Sequence, residues 1–226
     1  MNYFITGTDT GVGKTLISCA LLHAFAARGN TVAGMKPVAA GCAEDDINDD
    51  VKQLRAATNI FASLGQLNPY SFLHPIAPHL ASRMEGVAIN FERIIESYKE
   101  LAAQAEVVIV EGVGGFMVPL NETQGSDDLA VALDLPVILV VGMRLGCINH
   151  ALLTQQAILA RNLNCAGWIA NIIDADMPAL QDNIEALKQR LQAPLLGIVP
   201  YQPQTDPRLA ASQLDLSLLD GNSAII

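Results

Sequence analysis

The sequence has few charged and few aromatic residues, and acidic side chains outnumber basic ones. Charged residues make up 16% of the 226 positions, aromatic residues 5% and hydrophobic residues 51%, so the chain can bury a large core. Thirteen lysines and arginines stand against 23 aspartates and glutamates, which gives a formal net charge of −10. We expect no binding to nucleic acid, and any site for an anion must create positive potential locally.

Cysteines and long apolar runs are also scarce. The longest strongly apolar run, LPVILVVGM, has about half the length that a membrane-spanning helix needs. The first residues, MNYFIT, do not resemble a signal peptide. We therefore expect a cytoplasmic protein without a membrane partner. No C-x-x-C spacing occurs among the four cysteines, which favours free thiols in a reducing compartment: Cys19, Cys42, Cys147 and Cys165.

Short β-branched segments alternate with longer helical ones. The predicted strands are NYFIT, TVAGMK, EVVIVE, PVILVV, AGWIAN and PLLGIVP. Helices are predicted over KTLISCALLHAFAAR, which Gly29 ends, over residues 51–58, and over NFERIIESYKELAAQ, SDDLAVALD, CINHALLTQQAILARN and MPALQDNIEALKQRL. Asn90 and Ser126 are the predicted caps of the third and fourth helices, and residues 68–78 are expected to be irregular. This alternation predicts one α/β domain over residues 1–226, with a parallel sheet covered on both faces.

Glycine-rich or polar segments follow the predicted strands. GTDTGVGKT, KPVAAG, EGVGG and GMRLGCINH each come directly after a strand, Asn171 ends another, and PYQPQ follows the last. The carboxyl ends of parallel strands share one edge of an open sheet, where ligands bind. The sequence therefore predicts one binding site at this edge.

GTDTGVGKT resembles a phosphate-binding loop with one extra residue. The usual pattern has four residues between its two glycines, and here five separate Gly7 from Gly13. Gly11 and Gly13 would let backbone amides curl around phosphate oxygens. Lys14 could reach the β- and γ-phosphates, and the Thr15 hydroxyl could ligate Mg²⁺. The alternative is an ordinary glycine-rich turn with a solvated lysine, but the position between a strand and a helix favours a phosphate loop.

Three acidic or basic features lie at the same predicted edge. Glu111 ends an aliphatic strand and could complete an Mg²⁺ site, or it could simply precede a glycine turn. Lys36 ends the second strand and either is solvated or neutralises a second anion. An acidic run contains four aspartates: Asp45, Asp46, Asp49 and Asp50. One interpretation is a solvated loop in which one of these aspartates caps the next helix. The other is that one of the four is a second metal ligand.

Six segments together resemble the dethiobiotin synthetases over nearly the whole chain. They are FITGTDTGVGKT, GMKPVAAG, NPYSF, APHLAS, VIVEGVGG and PVILVVGMRLGCINHALLT. The family's phosphate loop has the same extra residue. The resemblance implies a phosphate-loop NTPase fold, a single doubly wound domain with a mostly parallel, seven-stranded sheet. It also implies a homodimer.

The resemblance implies a reaction as well. The family takes 7,8-diaminopelargonic acid, CO₂ and ATP with Mg²⁺, and forms dethiobiotin, ADP and phosphate. One substrate amine captures CO₂ as a carbamate, whose oxygen attacks the γ-phosphate. The second amine then displaces phosphate and closes the ureido ring.

Residue by residue, the resemblance implies four groups. The catalytic residues would be Lys14, Lys36 and Thr10. ATP would bind Gly11, Val12, Gly13, Lys14, Thr15, Asp50, Glu111, Asn171 and Pro200, with Asn171 reading the base. The Mg²⁺ ligands would be Thr15, Asp50 and Glu111. The substrate would bind Lys36, Gly114 and Gly115 at its carbamate, and Cys147, Ile148 and Asn149 at its carboxylate.

The resemblance implies that the contact with the substrate carboxylate comes from the other subunit. The donors would be unpaired backbone amides at the start of a helix. On sequence alone, Cys147 to Asn149 is also consistent with an ordinary helix start. Two positions depart from the family pattern. Gly11 stands where many members have Glu, and Ala40 stands where many have Ser or Thr.

An alternative function is a partition- or septum-type ATPase switch on a related phosphate-loop fold. Such proteins typically carry an additional lysine in the loop, at the position that Asp9 occupies here.

Overall fold

The computed structural model describes residues 1–42 and 47–220. The strands in these ranges are β1 (Asn2–Gly7), β2 (Val32–Met35), β3 (Val38–Ala40), β4 (Tyr70–Phe72), β5 (Val107–Glu111), β6 (Val137–Met143), β7 (Cys165–Ile172) and β8 (Leu195–Val199). The helices are α1 (Lys14–Ala27), α2 (Asp49–Ala57), α3 (Leu64–Leu67), α4 (Pro78–Glu85), α5 (Phe91–Ala102), α6 (Ser126–Leu133), α7 (Cys147–Ala160), α8 (Leu180–Arg190), α9 (Pro207–Ala211) and α10 (Ser217–Asp220). Among the described helices, none is long and apolar enough to cross a membrane.

Six strands form the main sheet, in the order β2-β5-β1-β6-β7-β8. Every neighbouring pair is parallel, so the predicted parallel α/β fold is confirmed. The predicted count of seven strands is wrong for this sheet as the described residues show it. β3 and β4 instead pair with each other in a separate two-stranded sheet. Pro37, which follows β2 and lacks an N–H group, is where the chain leaves the main ladder.

Both faces of the main sheet are buried, which accounts for the nearly continuous apolar strands. Tyr3 and Ile5 of β1 point into the core that contains the apolar side chains of α1. Phe4, between them, points to the opposite core, which it shares with Val108 and Val110 of β5. Because successive residues of a strand face opposite sides, a sheet with two buried faces needs an apolar residue at almost every position.

The helix boundaries confirm two of the three predicted end signals. Gly29 adopts a left-handed φ of 91° just after α1, and Asn90 caps α5 with its side chain. The prediction for Ser126 is wrong, because Gly125 occupies the cap position and Ser126 is the first helical residue. The Ser126 hydroxyl instead donates to the carbonyl of Phe116 at 2.5 Å. It therefore ties the start of α6 to the loop that follows β5.

The segment expected to be irregular contains β4 and leads into α4, so that prediction is wrong for residues 70–72. Tyr70 and Phe72 are both buried while Ser71 between them is exposed. Their rings stack with centroids 6.4 Å apart. Three residues are too few for a periodic signal in the sequence, which is why this strand was missed.

Candidate active site

A cleft of about 910 Å³ opens at the carboxyl ends of the central strands. Its walls are the phosphate loop, the residues that follow β2 and β5, the start of α2 and the segment before α4. The predicted convergence of strand ends is therefore confirmed for β1, β2 and β5. Asn171, Pro200 and the start of α7 are not among the described residues that line this cleft.

The phosphate loop depends on glycine at two positions. Gly11 and Gly13 have φ values of 72° and 88°, in the left-handed region that side chains disfavour. A Cβ on Gly13 would lie 2.2 Å from the amide nitrogen of Asn171. That nitrogen donates to the carbonyl of Val12 at 2.8 Å, so the end of β7 holds the loop in shape. α1 begins at Lys14, so its amino end points at the loop.

Lys14 is a buried cation at the base of the cleft. Its side chain donates to the carbonyl of Asp9 at 3.0 Å. Burial, together with repulsion from Lys36, lowers the pKa of Lys14 from 10.5 to about 8. The carboxylate of Asp9 in turn accepts the Thr10 amide at 2.7 Å and lies 2.5 Å from Arg144. The loop is thus fixed to the segment after β6 by an ion pair.

Lys36 lies between two carboxylates. It is only 4% exposed, and its ammonium is 2.5 Å from Glu111 Oε1 and 3.0 Å from Asp50 Oδ2. Burial alone would lower the pKa of Lys36, but these two carboxylates raise it above its usual value. Burial would raise the pKa of Asp50, but Lys36 and the Thr15 hydroxyl hold it below its usual value. Lys36 and Asp50 are therefore both ionised near neutral pH.

The structure also brings together the three predicted metal ligands. The Thr15 hydroxyl donates to Glu111 Oε1 at 2.8 Å and lies beside Asp50. Glu111 Oε2 is buried and has no hydrogen-bond partner among the described residues. An unpartnered buried carboxylate oxygen, a second carboxylate and a hydroxyl suit a hard divalent cation. Within the described ranges, no group of three or more His, Cys, Asp or Glu side chains is arranged so that it could hold a metal ion.

At the start of α2, the capping residue and the candidate metal ligand are two different residues. Asn48 caps the helix by accepting the amide of Asp50 at 3.0 Å, so the expectation that one of the aspartates is the cap is wrong. The side chain of Asp49 is 88% exposed, whereas Asp50 points into the cleft. Asp45 and Asp46 lie outside the described residues.

The glycine loop after β5 forms the wall opposite α2. Gly114, Gly115 and Thr10 all line the cleft. Gly114 has a left-handed φ of 63°, and a Cβ there would lie 3.6 Å from Thr10 Oγ1. The two loops are therefore in contact distance of each other, as the predicted carbamate and phosphate sites require. Ala40, one of the two departures from the family pattern, lines the same cleft with a methyl group.

Several lining residues were not predicted from the sequence. Gln53 lies one turn after Asp50 on α2, and Thr205 reaches the cleft from the segment after β8. Residues 75–78 form another part of the wall. The helical spacing of Gln53 from Asp50 is a signal that could have identified it. Residues 75–78 overlap the start of APHLAS, one of the segments that carry the family resemblance, whereas Thr205 has no such signal.

The start of α7 departs in one respect from its prediction. The amide of Cys147 donates to the carbonyl of Arg144 at 3.0 Å, so the prediction that it is an unpaired donor is wrong. Ile148 and Asn149 follow in the first turn, after Gly146 with its left-handed φ of 92°.

Sequence comparisons give close relatives of this chain. A family model described as an AAA domain matches residues 1–208. An ATP-dependent dethiobiotin synthetase from Nitrosospira multiformis is 54% identical, over 98% of this chain and 97% of its own length. Another from Aromatoleum aromaticum is also 54% identical, over 95% of this chain and 96% of its own length.

Structural comparison gives more distant neighbours. The MinD cell division protein of Aquifex aeolicus has a TM-score of 0.57 and 18% identity, over 94% of this chain and 87% of its own. At that identity the match shows a shared phosphate-loop NTPase-like fold alone. The synthetases, by contrast, match at 54% identity over nearly their full length, and the chain belongs to the family of ATP-dependent dethiobiotin synthetases.

Proposed function

We propose that this chain converts 7,8-diaminopelargonic acid, CO₂ and ATP into dethiobiotin, ADP and phosphate, as one α/β domain over residues 1–226. The observation that carries the proposal is the position of two buried lysines, Lys14 and Lys36, in one cleft beside two carboxylates. A carbamate and a triphosphate repel each other. Two preorganised cations offset that repulsion where the charge develops, which is the largest contribution that such a site can make to the rate.

The phosphate loop is the proposed site for ATP. The amides of Gly11, Val12 and Gly13 surround the phosphates, and Lys14 and Thr10 contact the transferring group. Asn171 is level with Val199 in the β7–β8 pair, so it lies beside Pro200 at the end of the sheet. Its amide nitrogen donates one hydrogen bond to the Val12 carbonyl, and its oxygen is the proposed acceptor for the amino group of adenine.

Lys36, Gly114 and Gly115 are the proposed site for the carbamate. One amine of the substrate attacks CO₂ and loses a proton, which leaves an anionic carbamate beside the Lys36 ammonium. A carbamate oxygen then attacks the γ-phosphorus, the bond to ADP breaks, and a carbamic–phosphoric anhydride forms. The second amine attacks the carbamate carbon, phosphate leaves, and the ring closes. No strong general base is needed for phosphoryl transfer, because the attacking oxygen is already anionic.

Thr15, Asp50 and Glu111 are the proposed ligands of Mg²⁺, and the unpartnered Glu111 Oε2 supports this assignment. Held by these three residues, a divalent ion would supply positive charge that offsets the negative charge developing during phosphoryl transfer. The protein's own contribution is to hold the three oxygens at the mouth of the phosphate loop, since Thr15 belongs to α1 and Glu111 ends the neighbouring strand β5.

A homodimer is the proposed assembly, with the start of α7 supplying the distant end of the partner's substrate site. Two large apolar side chains support a covered surface here, because Leu145 is 88% exposed and Leu153 is 56% exposed. The amides of Ile148 and Asn149, at the positive end of the α7 dipole, are the proposed donors to the substrate carboxylate. Cys147 then contributes position rather than an amide. The proposed location is the cytoplasm.

Mass spectrometry tests the reaction directly. The chain is supplied with 7,8-diaminopelargonic acid, bicarbonate and MgATP, and we expect the ring product with one ADP per product. Lys14→Ala is the control and should form none. ATP hydrolysis that is slow and indifferent to the diamine would instead indicate a nucleotide switch and refute the proposal.

Mixing two inactive variants tests the shared site. One subunit carries Lys14→Ala, and the other carries Ile148→Pro with Asn149→Asp. In a heterodimer, one site holds all the lesions and the other holds none, so mixing should restore activity. If mass spectrometry shows subunit exchange and activity does not return, each site belongs to one chain.

A further inference from the structure

The ammonium of Lys36 contacts the same oxygen atoms that the proposed cation site uses. Glu111 Oε1 accepts from Lys36 at 2.5 Å and from the Thr15 hydroxyl at 2.8 Å. Asp50 Oδ2 lies 3.0 Å from the same ammonium. One lysine thus pairs with both carboxylates that a divalent ion would bind.

The Lys36 ammonium and a divalent ion cannot both occupy the contacts with the Asp50 and Glu111 oxygens. Lys36 is 4% exposed and Glu111 is 1% exposed, so water screens little of their charge, and a divalent ion on the same oxygens would meet a positive charge at close range. Removal of a cation from buried carboxylates is also costly unless another replaces it. The site therefore favours one cation on these oxygens at a time.

The ammonium has a third partner, which points to where it goes. Lys36 also donates to the carbonyl of Gly112 at 3.1 Å. Gly112 begins the loop whose Gly114 and Gly115 line the cleft. A lysine that loses both carboxylates can keep the Gly112 carbonyl while it turns toward this loop.

We propose that Lys36 is an exchangeable counter-ion. A divalent cation that binds Asp50 and Glu111 displaces the ammonium, which then serves as the positive partner of an anionic substrate at the glycine loop. The nature of that anion, a carbamate, rests on the proposed function, whereas the competition between the two cations does not. The exchange predicts reciprocal coupling, in which a bound divalent cation strengthens the binding of the anionic substrate and the anion strengthens the binding of the cation.

Calorimetry with Mn²⁺ alone, without nucleotide, tests the competition. Lys36→Gln removes the competing charge, so this variant should bind Mn²⁺ roughly tenfold more tightly than the wild type, or better. Lys36→Arg keeps the charge and should bind Mn²⁺ about as the wild type does. Equal or weaker binding by Lys36→Gln overturns the proposal.

A measurement on the wild type keeps the test valid if Lys36→Gln does not fold. Lysines are labelled at ¹³Cε, and the resonance of Lys36 is assigned by its loss in Lys36→Arg. Saturating Mg²⁺ should move that resonance and leave the resonance of Lys188 in place, because Lys188 pairs with Glu185 on exposed α8. A Lys36 resonance that does not move overturns the exchange.

The product assay separates this proposal from the proposed function. If the wild type forms dethiobiotin but Lys36→Gln binds Mn²⁺ no more tightly than the wild type does, the exchange alone is refuted. Tighter Mn²⁺ binding without any product would leave the exchange standing and refute the function.

Discussion

Replacement of Lys14 by methionine should stabilise the fold while it abolishes turnover. Lys14 is 7% exposed, and burial, with help from Lys36, lowers its pKa from 10.5 to about 8. The fold therefore carries a charge that its surroundings disfavour. Methionine keeps the length and most of the volume of the side chain and removes the charge.

The size of the effect follows from the pKa. At 1.36 kcal/mol per pKa unit, the lowering corresponds to about 3 kcal/mol of unfavourable free energy in the folded state. The variant also loses the hydrogen bond from Lys14 to the Asp9 carbonyl. That loss costs about 1 kcal/mol, since Asp9 is half-buried and water can replace the donor. The net gain in unfolding free energy is about 2 kcal/mol near pH 7.

The pH dependence gives the prediction a second, independent check. The folded-state pKa of Lys14, about 8, lies below the value of 10.5 expected for the unfolded chain, so the unfolded state holds the proton more tightly. The cost to the wild type is then complete below pH 8 and disappears as the pH rises toward 10.5. The advantage of Lys14→Met should shrink over the same interval.

Guanidinium unfolding near pH 7 and near pH 9.5 measures both effects. Lys188→Met, which removes an exposed lysine, is the control and should change stability by less than about 0.5 kcal/mol. The reasoning is refuted if Lys14→Met is no more stable than the wild type near pH 7, or if its advantage does not depend on pH.

Three further predictions concern the other charged groups of the cleft. Asp50→Asn should raise the Mg²⁺ concentration needed for half-maximal turnover roughly tenfold, while Asp49→Asn on the exposed side of α2 should leave it unchanged; the reverse ranking would mean that the wrong aspartate was chosen. Lys36→Ala should lower kcat on the order of 100-fold without weakening nucleotide binding in calorimetry, and weaker binding with normal kcat would contradict this. Reversing the charge of either Asp9 or Arg144 should raise KM for ATP several-fold, and reversing both should recover part of the loss. No recovery in the double variant would show that the ion pair does not position the loop.

Much of the site was predictable because its residues follow strands directly. Lys14, Thr15, Lys36 and Glu111 are each within a short distance in sequence of a strand's carboxyl end, and a parallel sheet brings such ends together. Asp50 needed the family resemblance, since nothing in an acidic run distinguishes one carboxylate from the next.

The remaining features depend on contacts between distant parts of the chain. The pairing of Lys36 with both carboxylates joins the residue after β2 to residues of α2 and β5, and no local pattern in the sequence indicates it. Asn171 is 159 positions from Val12, whose carbonyl it holds. The two-stranded sheet of β3 and β4 was missed because three-residue strands are too short to show a period.

Because the protein is acidic overall, the cleft must supply positive charge locally in order to bind anions. With a formal net charge of −10, the protein as a whole repels a triphosphate and a carboxylated substrate. The cleft overcomes this with two lysines that it buries within range of each other, so that each destabilises the other unless a negative group is close. For Lys36 that group is the pair Asp50 and Glu111, while Lys14 has only the Asp9 carbonyl as its hydrogen-bond partner in the described structure. Lys14 is therefore the cation with most to gain from a phosphate, whereas Lys36 already has two anionic partners in the described structure.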